Sequence, residues 1–359
     1  MIKVIHYLGS LRFGGIEQLV YDLSQEQLTQ GMEVVLLVAK KDGEFQSRFE
    51  ALDVKIHFLE LKSGFDFSAS KRRLIKQLFR QENFVIHLHE FNPIVAKLAL
   101  KSGKRIIYTE HGNFAFGRRI TRKDKLLFFL RKRFFRNSQV LICCNSNFTR
   151  NYVETHFYRG PRLCTVHNGV SEHRLVDQNE VRKIRETYKD KWIIGSSSRL
   201  VAFKRIDRLI HVFTQLIKEE KDALLLIVGE GPERKKLESL VSSLNIAESV
   251  IFTGYQGEVQ NYQAAFDCCV FPSQNEPFGL VALECLRLQK EVLVFSDGGG
   301  LTEIIEQDEP KNICKTEYEL LHQLLEIRHS DPKNRNKKEL LAYFSSSRMY
   351  REYLEKYQG

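Results

Sequence analysis

No stretch of this 359-residue chain approaches the ~18–20 apolar residues that a membrane-spanning helix needs. The opening apolar run at residues 2–8 stops at Gly9-Ser10. It is too short for the apolar region of a secretory leader, so the expected location is cytoplasmic. The seven cysteines are odd in number and include no Cys-x-x-Cys pair. Four of them, Cys143-Cys144 and Cys268-Cys269, lie inside apolar runs. That pattern fits small buried thiols and argues against a disulfide framework or a zinc site. Asp-x-Asp occurs nowhere, so the simplest carboxylate pair for a nucleotide-bound divalent ion is missing. The dinucleotide fingerprint G-x-G-x-x-G is also missing, which disfavours a nicotinamide cofactor. There is no internal repeat or low-complexity tract. Acids are the scarcer charge, 45 Asp and Glu against 55 Lys and Arg, and the net charge of +10 calls for anionic partners. Nucleic acid, anionic lipid and nucleotide diphosphates all qualify by charge, but no nucleic-acid recognition motif is present.

The length suggests about two domains. Short apolar runs with little polar alternation recur at residues 3–8, 33–38, 85–89, 105–109 and 140–144, then at 192–196, 223–228, 250–253, 268–271 and 292–295. Helical patterns lie between them, among them residues 15–30, 206–218 and 233–244. Strands of this type are buried on both faces, and their alternation with helices predicts parallel sheets covered by helices. The series occurs twice, on either side of a charged stretch at 177–191. Two doubly wound α/β domains facing a cleft are expected, residues 1–170 and 171–339. A helix at 345–357, within a terminal segment 340–359, is expected to pack back on the first domain.

The segment Asn275-Glu276-Pro277-Phe278-Gly279-Leu280-Val281-Ala282-Leu283-Glu284 carries two carboxylates about two helical turns apart, just past an apolar strand pattern. A helix that opens after a strand presents unpaired N–H groups and its positive dipole end, a place for phosphate. One phosphate-attracting end with two hydroxyl acceptors suits a sugar joined to a diphosphate. Arg199 and Lys204, in the loop after the 192–196 strand, are placed to converge on that diphosphate. A solvated basic loop explains them equally well in isolation. Gly14-Gly15-Ile16-Glu17 and Gly229-Glu230-Gly231-Pro232 are glycine turns for which a structural role and ligand contact both stand. His111 and His167 lie at strand ends, where a histidine either meets a sugar hydroxyl or serves as a structural hydrogen-bonder. His87 and His89 share one strand face; a half-buried pair and a metal site both stand, the first favoured.

Taken in order, Gly14-Gly15-Ile16-Glu17, Glu110-His111-Gly112, His167-Asn168-Gly169-Val170, Arg199 with Lys204, Gly229-Glu230-Gly231-Pro232, Glu276 through Glu284, and Gly298-Gly299 with Glu303 resemble the retaining glycosyltransferases of the GT-B fold, family 4, the "group 1" enzymes. The resemblance implies two Rossmann-like domains and a hexosyltransferase-type enzyme that needs no metal. Its donor is a nucleotide sugar, UDP-linked in the favoured reading. Arg199 and Lys204 are then expected on the diphosphate, Glu284 on the ribose, and Glu276 with Phe278, Gly279 and Leu280 on the donor. His111 is expected on the donor sugar, and Gly14 and Gly15 beside phosphates or acceptor. The chain departs from the family pattern after Glu284, where Cys285-Leu286-Arg287-Leu288-Gln289-Lys290-Glu291 replaces small residues and Gly-x-Pro, and again at residues 307–312.

Residues 117–137 carry Arg118, Arg119, Arg122, Lys123, Lys125, Arg131, Lys132, Arg133 and Arg136 against the single acid Asp124. Leu126, Leu127, Leu130 and Phe134 recur at helical spacing. One reading is a basic amphipathic helix on an anionic membrane surface at the inner face of the plasma membrane, with a polyprenyl-diphosphate-linked saccharide as acceptor. The other is a core-packed helix with a solvated charged face. An inactive GT-B binding subunit and a sugar-nucleotide epimerase of the same fold remain alternatives.

Overall fold

The computed structural model describes residues 2–12, 14–63, 66, 68–112, 121–171, 175–330 and 337–359. The chain divides into two compact units, Met1–Glu172 with Phe344–Gly359, and His173–Tyr343.

The first unit holds β1 (Lys3–Leu8), β2 (Glu33–Val38), β3 (Lys55–Phe58), β4 (Phe84–Leu88), β5 (Ile106–Glu110), β6 (Val140–Cys144) and β7 (Leu163–Thr165). They form one sheet in the order β3-β2-β1-β4-β5-β6-β7, with parallel pairing throughout. Successive residues in a strand face opposite sides, and both sides are apolar here. Ile5, Tyr7, Val35 and Leu37 enter one core, whereas Val4, Leu8, Val34 and Leu36 enter another. Such a sheet needs cover on both faces. The helix Ser346–Gln358 supplies part of it by burying Met349, Tyr350, Tyr353 and Tyr357 in the second core. Ser345 Oγ caps that helix by accepting from Arg348 N at 3.2 Å.

The turn His167–Val170 is the seat for this helix. Val170 bridges to Ser345, and the His167 carbonyl accepts from the Arg348 guanidinium at 3.0 Å. A Cβ on Gly169 would lie 2.2 Å from the Ser345 carbonyl oxygen, so only glycine allows the approach. The glycine of this motif thus has a structural explanation.

The second unit holds β8 (Trp192–Ser197), β9 (Ala223–Val228), β10 (Val250–Gly254), β11 (Cys268–Phe271), β12 (Glu291–Phe295) and β13 (Ile313–Cys314). Their order is β10-β9-β8-β11-β12-β13, again parallel. The helix Ile206–Glu219 shows why the cover forms: Ile206, Leu209, Ile210, Phe213 and Leu216 recur at helical spacing, and all are buried. Each such side chain contributes about 1.5–3 kcal/mol on leaving water. All seven cysteines are free, six of them buried. Among the described residues no helix is long and apolar enough to cross a membrane.

Candidate active site

In the second unit the strand order reverses between β8 and β11. Ligands of open α/β sheets bind beyond the carboxyl ends of strands at such a point. The loop after β8 brings Arg199 and Lys204 there, and the loop after β11 brings Glu276. The two loops are tied by a backbone bond from Gln274 N to the Phe203 carbonyl, 2.7 Å. Lys204 Nζ donates to Glu276 Oε2 at 2.6 Å, with both side chains largely withdrawn from solvent. Arg199 is exposed, and its guanidinium has no hydrogen-bond or ion-pair partner among the described residues. The arrangement thus offers one unpaired cation and a second whose charge is balanced by a carboxylate.

The Glu276 loop is held by close backbone contact with the segment after β12. Glu276 N donates to the Gly298 carbonyl at 3.2 Å, and Gly300 N to the Glu276 carbonyl at 2.7 Å. Gly299 has φ 65°, and a Cβ there would lie 2.6 Å from the Glu276 oxygen. Gly279, at φ 97°, turns the chain into the helix Leu280–Arg287, and a Cβ on it would strike Leu301. Glycine is required at both positions because side chains rarely adopt these angles and no room is left. One turn into that helix, Glu284 Oε2 accepts from Gln263 Nε2 at 3.2 Å. Gln263 is fully buried and also reaches Ser197 Oγ at 3.1 Å. Sequence reasoning overlooked Gln263; nothing in its local pattern marks it.

The glycine turn 229–231 has a structural explanation. A Cβ on Gly229 would lie 1.9 Å from the Ser198 carbonyl oxygen, and one on Gly231 2.2 Å from that of Leu200. The turn is the floor under the Arg199 loop, whose Leu200 N donates to the Glu230 carbonyl at 2.9 Å.

The first unit has its own reversal, between β1 and β4. Gly14 precedes the helix Gly15–Thr29, and a Cβ on Gly14 would lie 2.5 Å from Glu17 Oε2. Glu17 is buried, and burial, with the charge of Glu90 as a further contribution, raises its pKa to about 7. His111 follows β5 in a loop pinned at both sides. Glu110 Oε1 accepts from Gly112 N at 3.1 Å, and Glu110 Oε2 lies 3.1 Å from Arg131. His87 and His89 are fully buried rather than half-buried, as is His6. Nitrogens of these three rings lie within 4.8 Å of one another, but every one already has a hydrogen-bond partner.

The basic segment forms the helix Arg122–Phe135, with Thr121 and Asp124 in a capping box. Arg122, Lys123, Arg133 and Arg136 are exposed and Lys132 partly so. Arg131 is not a surface group. It turns inward to Glu110 and lies over the Phe157 ring at 4.2 Å, because a buried carboxylate needs a countercharge. Arg118 and Arg119 lie outside the described residues.

Comparison with known proteins identifies the family. The profile of "Glycosyltransferase Family 4" matches residues 13–174, and that of "Glycosyl transferases group 1" matches residues 177–339. An N-acetyl-alpha-D-glucosaminyl L-malate synthase of Bacillus anthracis is 29% identical over 167 residues, covering 45% of this chain and 43% of that protein. The chain thus aligns with less than half the length of that relative. An uncharacterized glycosyltransferase of Haemophilus influenzae is 24% identical over 310 residues, 84% of this chain and 82% of the relative. The crystal structure of Anabaena Alr3699/HepE, in complex with UDP and glucose, superposes with TM-score 0.82 at 18% identity over 100% of both chains. With two matched profiles that together span most of its length and two doubly wound parallel sheets, the chain belongs to the group 1 glycosyltransferases, family 4, and has the GT-B fold.

Proposed function

We propose that the chain is a retaining glycosyltransferase that moves a sugar from a nucleoside diphosphate sugar, UDP-linked in the favoured case, to a saccharide acceptor without a metal ion. The observation that carries this reading is the Lys204–Glu276 pair at the strand-order reversal, with the unpaired Arg199 in the loop of Lys204. A diphosphate arriving there meets Arg199 and draws Lys204 from its carboxylate. Glu276 is then released to accept from a donor hydroxyl, with Phe278, Gly279 and Leu280 at the helix start beside it. Glu284, held by Gln263, accepts from ribose hydroxyls. His111 meets the donor sugar, and Gly14 and Gly15 leave room for backbone approach to phosphates or acceptor.

No side chain is assigned as a covalent nucleophile. The bond from the anomeric carbon to the phosphate oxygen breaks as the acceptor oxygen attacks on the same face. The acceptor proton passes to the departing phosphate. Charge developing on that phosphate is met by Arg199, Lys204 and helix dipoles already in position. Incubation with donor and acceptor, followed by NMR of the new anomeric centre, tests the stereochemistry. Retained configuration supports the reading and inversion contradicts it.

The basic helix supports a lipid-linked acceptor at the cytoplasmic face of a membrane, as in the synthesis of cell-surface polysaccharide or glycolipid. Leu126, Phe128 and Phe129 keep 48%, 38% and 61% of their surface exposed among Arg122, Lys123, Arg133 and Arg136. Apolar side chains in a basic surround suit an anionic lipid surface, where each cation adds about 1 kcal/mol. Sedimentation with phosphatidylglycerol vesicles tests this. Salt-sensitive binding supports it, and full activity on a soluble sugar without vesicle binding contradicts it.

A further inference from the structure

His111 stands at the end of a chain of buried groups that the proposed reaction does not use. His6 on β1 and His87 on β4 are register partners, and His89 follows β4 on the same face. Gln27 Nε2 donates to Tyr357 Oη at 3.2 Å, and Gln27 Oε1 lies 2.9 Å from His6 Nε2. His6 Nδ1 lies 2.8 Å from His89 Nε2, and His89 Nδ1 lies 3.1 Å from His111 Nε2.

The direction of this chain follows from its first member. An amide oxygen only accepts, so His6 Nε2 carries a hydrogen. A neutral ring has a single N–H, so His6 Nδ1 accepts from His89 Nε2. His89 Nδ1 in turn accepts from His111 Nε2. Burial keeps the rings neutral: it lowers His6 to about 4 and His111 to about 3, and His89 also falls well below the ordinary range. A protonated ring would bring two donors face to face. The second branch agrees. Tyr357, having accepted from Gln27, donates to His87 Nδ1 at 2.9 Å, and His87 Nε2 donates to Thr109 Oγ1 at 2.7 Å. The other nitrogen of His111, Nδ1, has no partner among the described residues.

We propose that Gln27, His6 and His89 are positioning residues that hold His111 as its Nε2–H tautomer, leaving His111 Nδ1 as a pure hydrogen-bond acceptor. The ligand group that docks on His111 is therefore a hydroxyl and not a carbonyl or phosphate oxygen. This use of the chain rests on the reading of His111 as a donor-sugar contact.

The test is the two-bond proton–nitrogen spectrum of the whole protein labelled with 15N-histidine, with His111→Ala identifying the signal. His111 is expected to show a protonated Nε2 and an unprotonated Nδ1. Gln27→Glu, which still accepts, keeps that pattern, whereas Gln27→Met, which cannot accept, gives mixed tautomers. Gln27→Met is also expected to lower kcat/KM for the donor about tenfold, the worth of one hydrogen bond. In a His111→Ala background the same substitution is expected to have no effect, which a purely structural role for Gln27 does not predict. A protonated Nδ1 on His111, or a Gln27→Met penalty that persists without His111, overturns the inference. Parental rates from His111→Ala with the Nε2–H signal intact in the parent overturn the donor-contact reading instead.

Discussion

Lys204 Nζ and Glu276 Oε2 lie 2.6 Å apart, although 72 residues separate them in sequence. The pair joins the two loops that flank the reversal of strand order, and it leaves Arg199 as the open cation of its loop. Each member is expected both to serve the ligand and to hold the other in place. Lys204→Met leaves a carboxylate that is largely withdrawn from water without its partner. Glu276→Gln keeps shape and hydrogen bonding. The first is expected to lower both stability and kcat, the second mainly kcat, each by about 10²–10³ in rate. Combining the two should cost less than the sum of the separate losses, since each single change already breaks the shared ion pair. Steady-state kinetics with thermal denaturation of the three variants checks this.

Gly279→Ala and Gly299→Ala are expected to destabilise the second unit by about 2–4 kcal/mol each. Both place a side chain at positive φ and drive it into Leu301 or the Glu276 backbone. Gly257→Ala is the control, because a Cβ there meets nothing within 4 Å. Urea denaturation separates the three.

Stability should respond to pH with two opposite signs. His6 titrates near 4 and His111 near 3 when folded, against 6.5 for an ordinary histidine. The unfolded chain binds protons first, so this contribution is complete above 6.5 and is lost as pH falls through 4 and then 3. Glu17 titrates near 7 instead of 4.5. Its contribution is complete below 4.5 and is lost as pH rises through 7. Glu17→Gln should therefore raise the urea midpoint at about pH 8 and leave it unchanged near pH 4.5. A uniform gain at both pH values would contradict the assignment.

Arg131 should behave unlike its basic neighbours. Arg131→Ala strands the Glu110 carboxylate, which is 1% exposed, and is expected to cost about 3–5 kcal/mol. Replacing Arg122, Lys123, Arg133 and Arg136 together with Ser should leave folding nearly unchanged and weaken vesicle binding. Thermal denaturation and vesicle sedimentation on the two variants test the division.

Much of the frame was legible because a strand buried on both faces announces itself as an unbroken apolar run. β1, β2, β6, β9 and β11 occupy the expected residues, and β4, β5, β8, β10 and β12 are displaced or extended by one residue. β3 escaped notice because Lys55 and His57 interrupt its apolar run, and β7 and β13 because they have only three and two residues. The helix Ser346–Gln358 showed itself through Tyr350, Tyr353 and Tyr357, but not the partners of those tyrosines. Links such as Gln27 to Tyr357, Arg131 to Glu110 and Gln263 to Glu284 join distant segments through single side chains. Local pattern carries no trace of them. Arg131 shows the limit most clearly: within its own helix it reads as one more surface cation, and only the buried carboxylate of β5 reveals its direction.

The most direct test compares turnover of the parent in excess chelator with turnover of Arg199→Ala/Lys204→Ala in ordinary buffer. If the two cations meet the departing diphosphate, chelation leaves the parent rate unchanged, and the double substitution lowers it by about 10³-fold or more. Abolition of parent turnover by chelator, or parental rates from the double variant, would contradict that account.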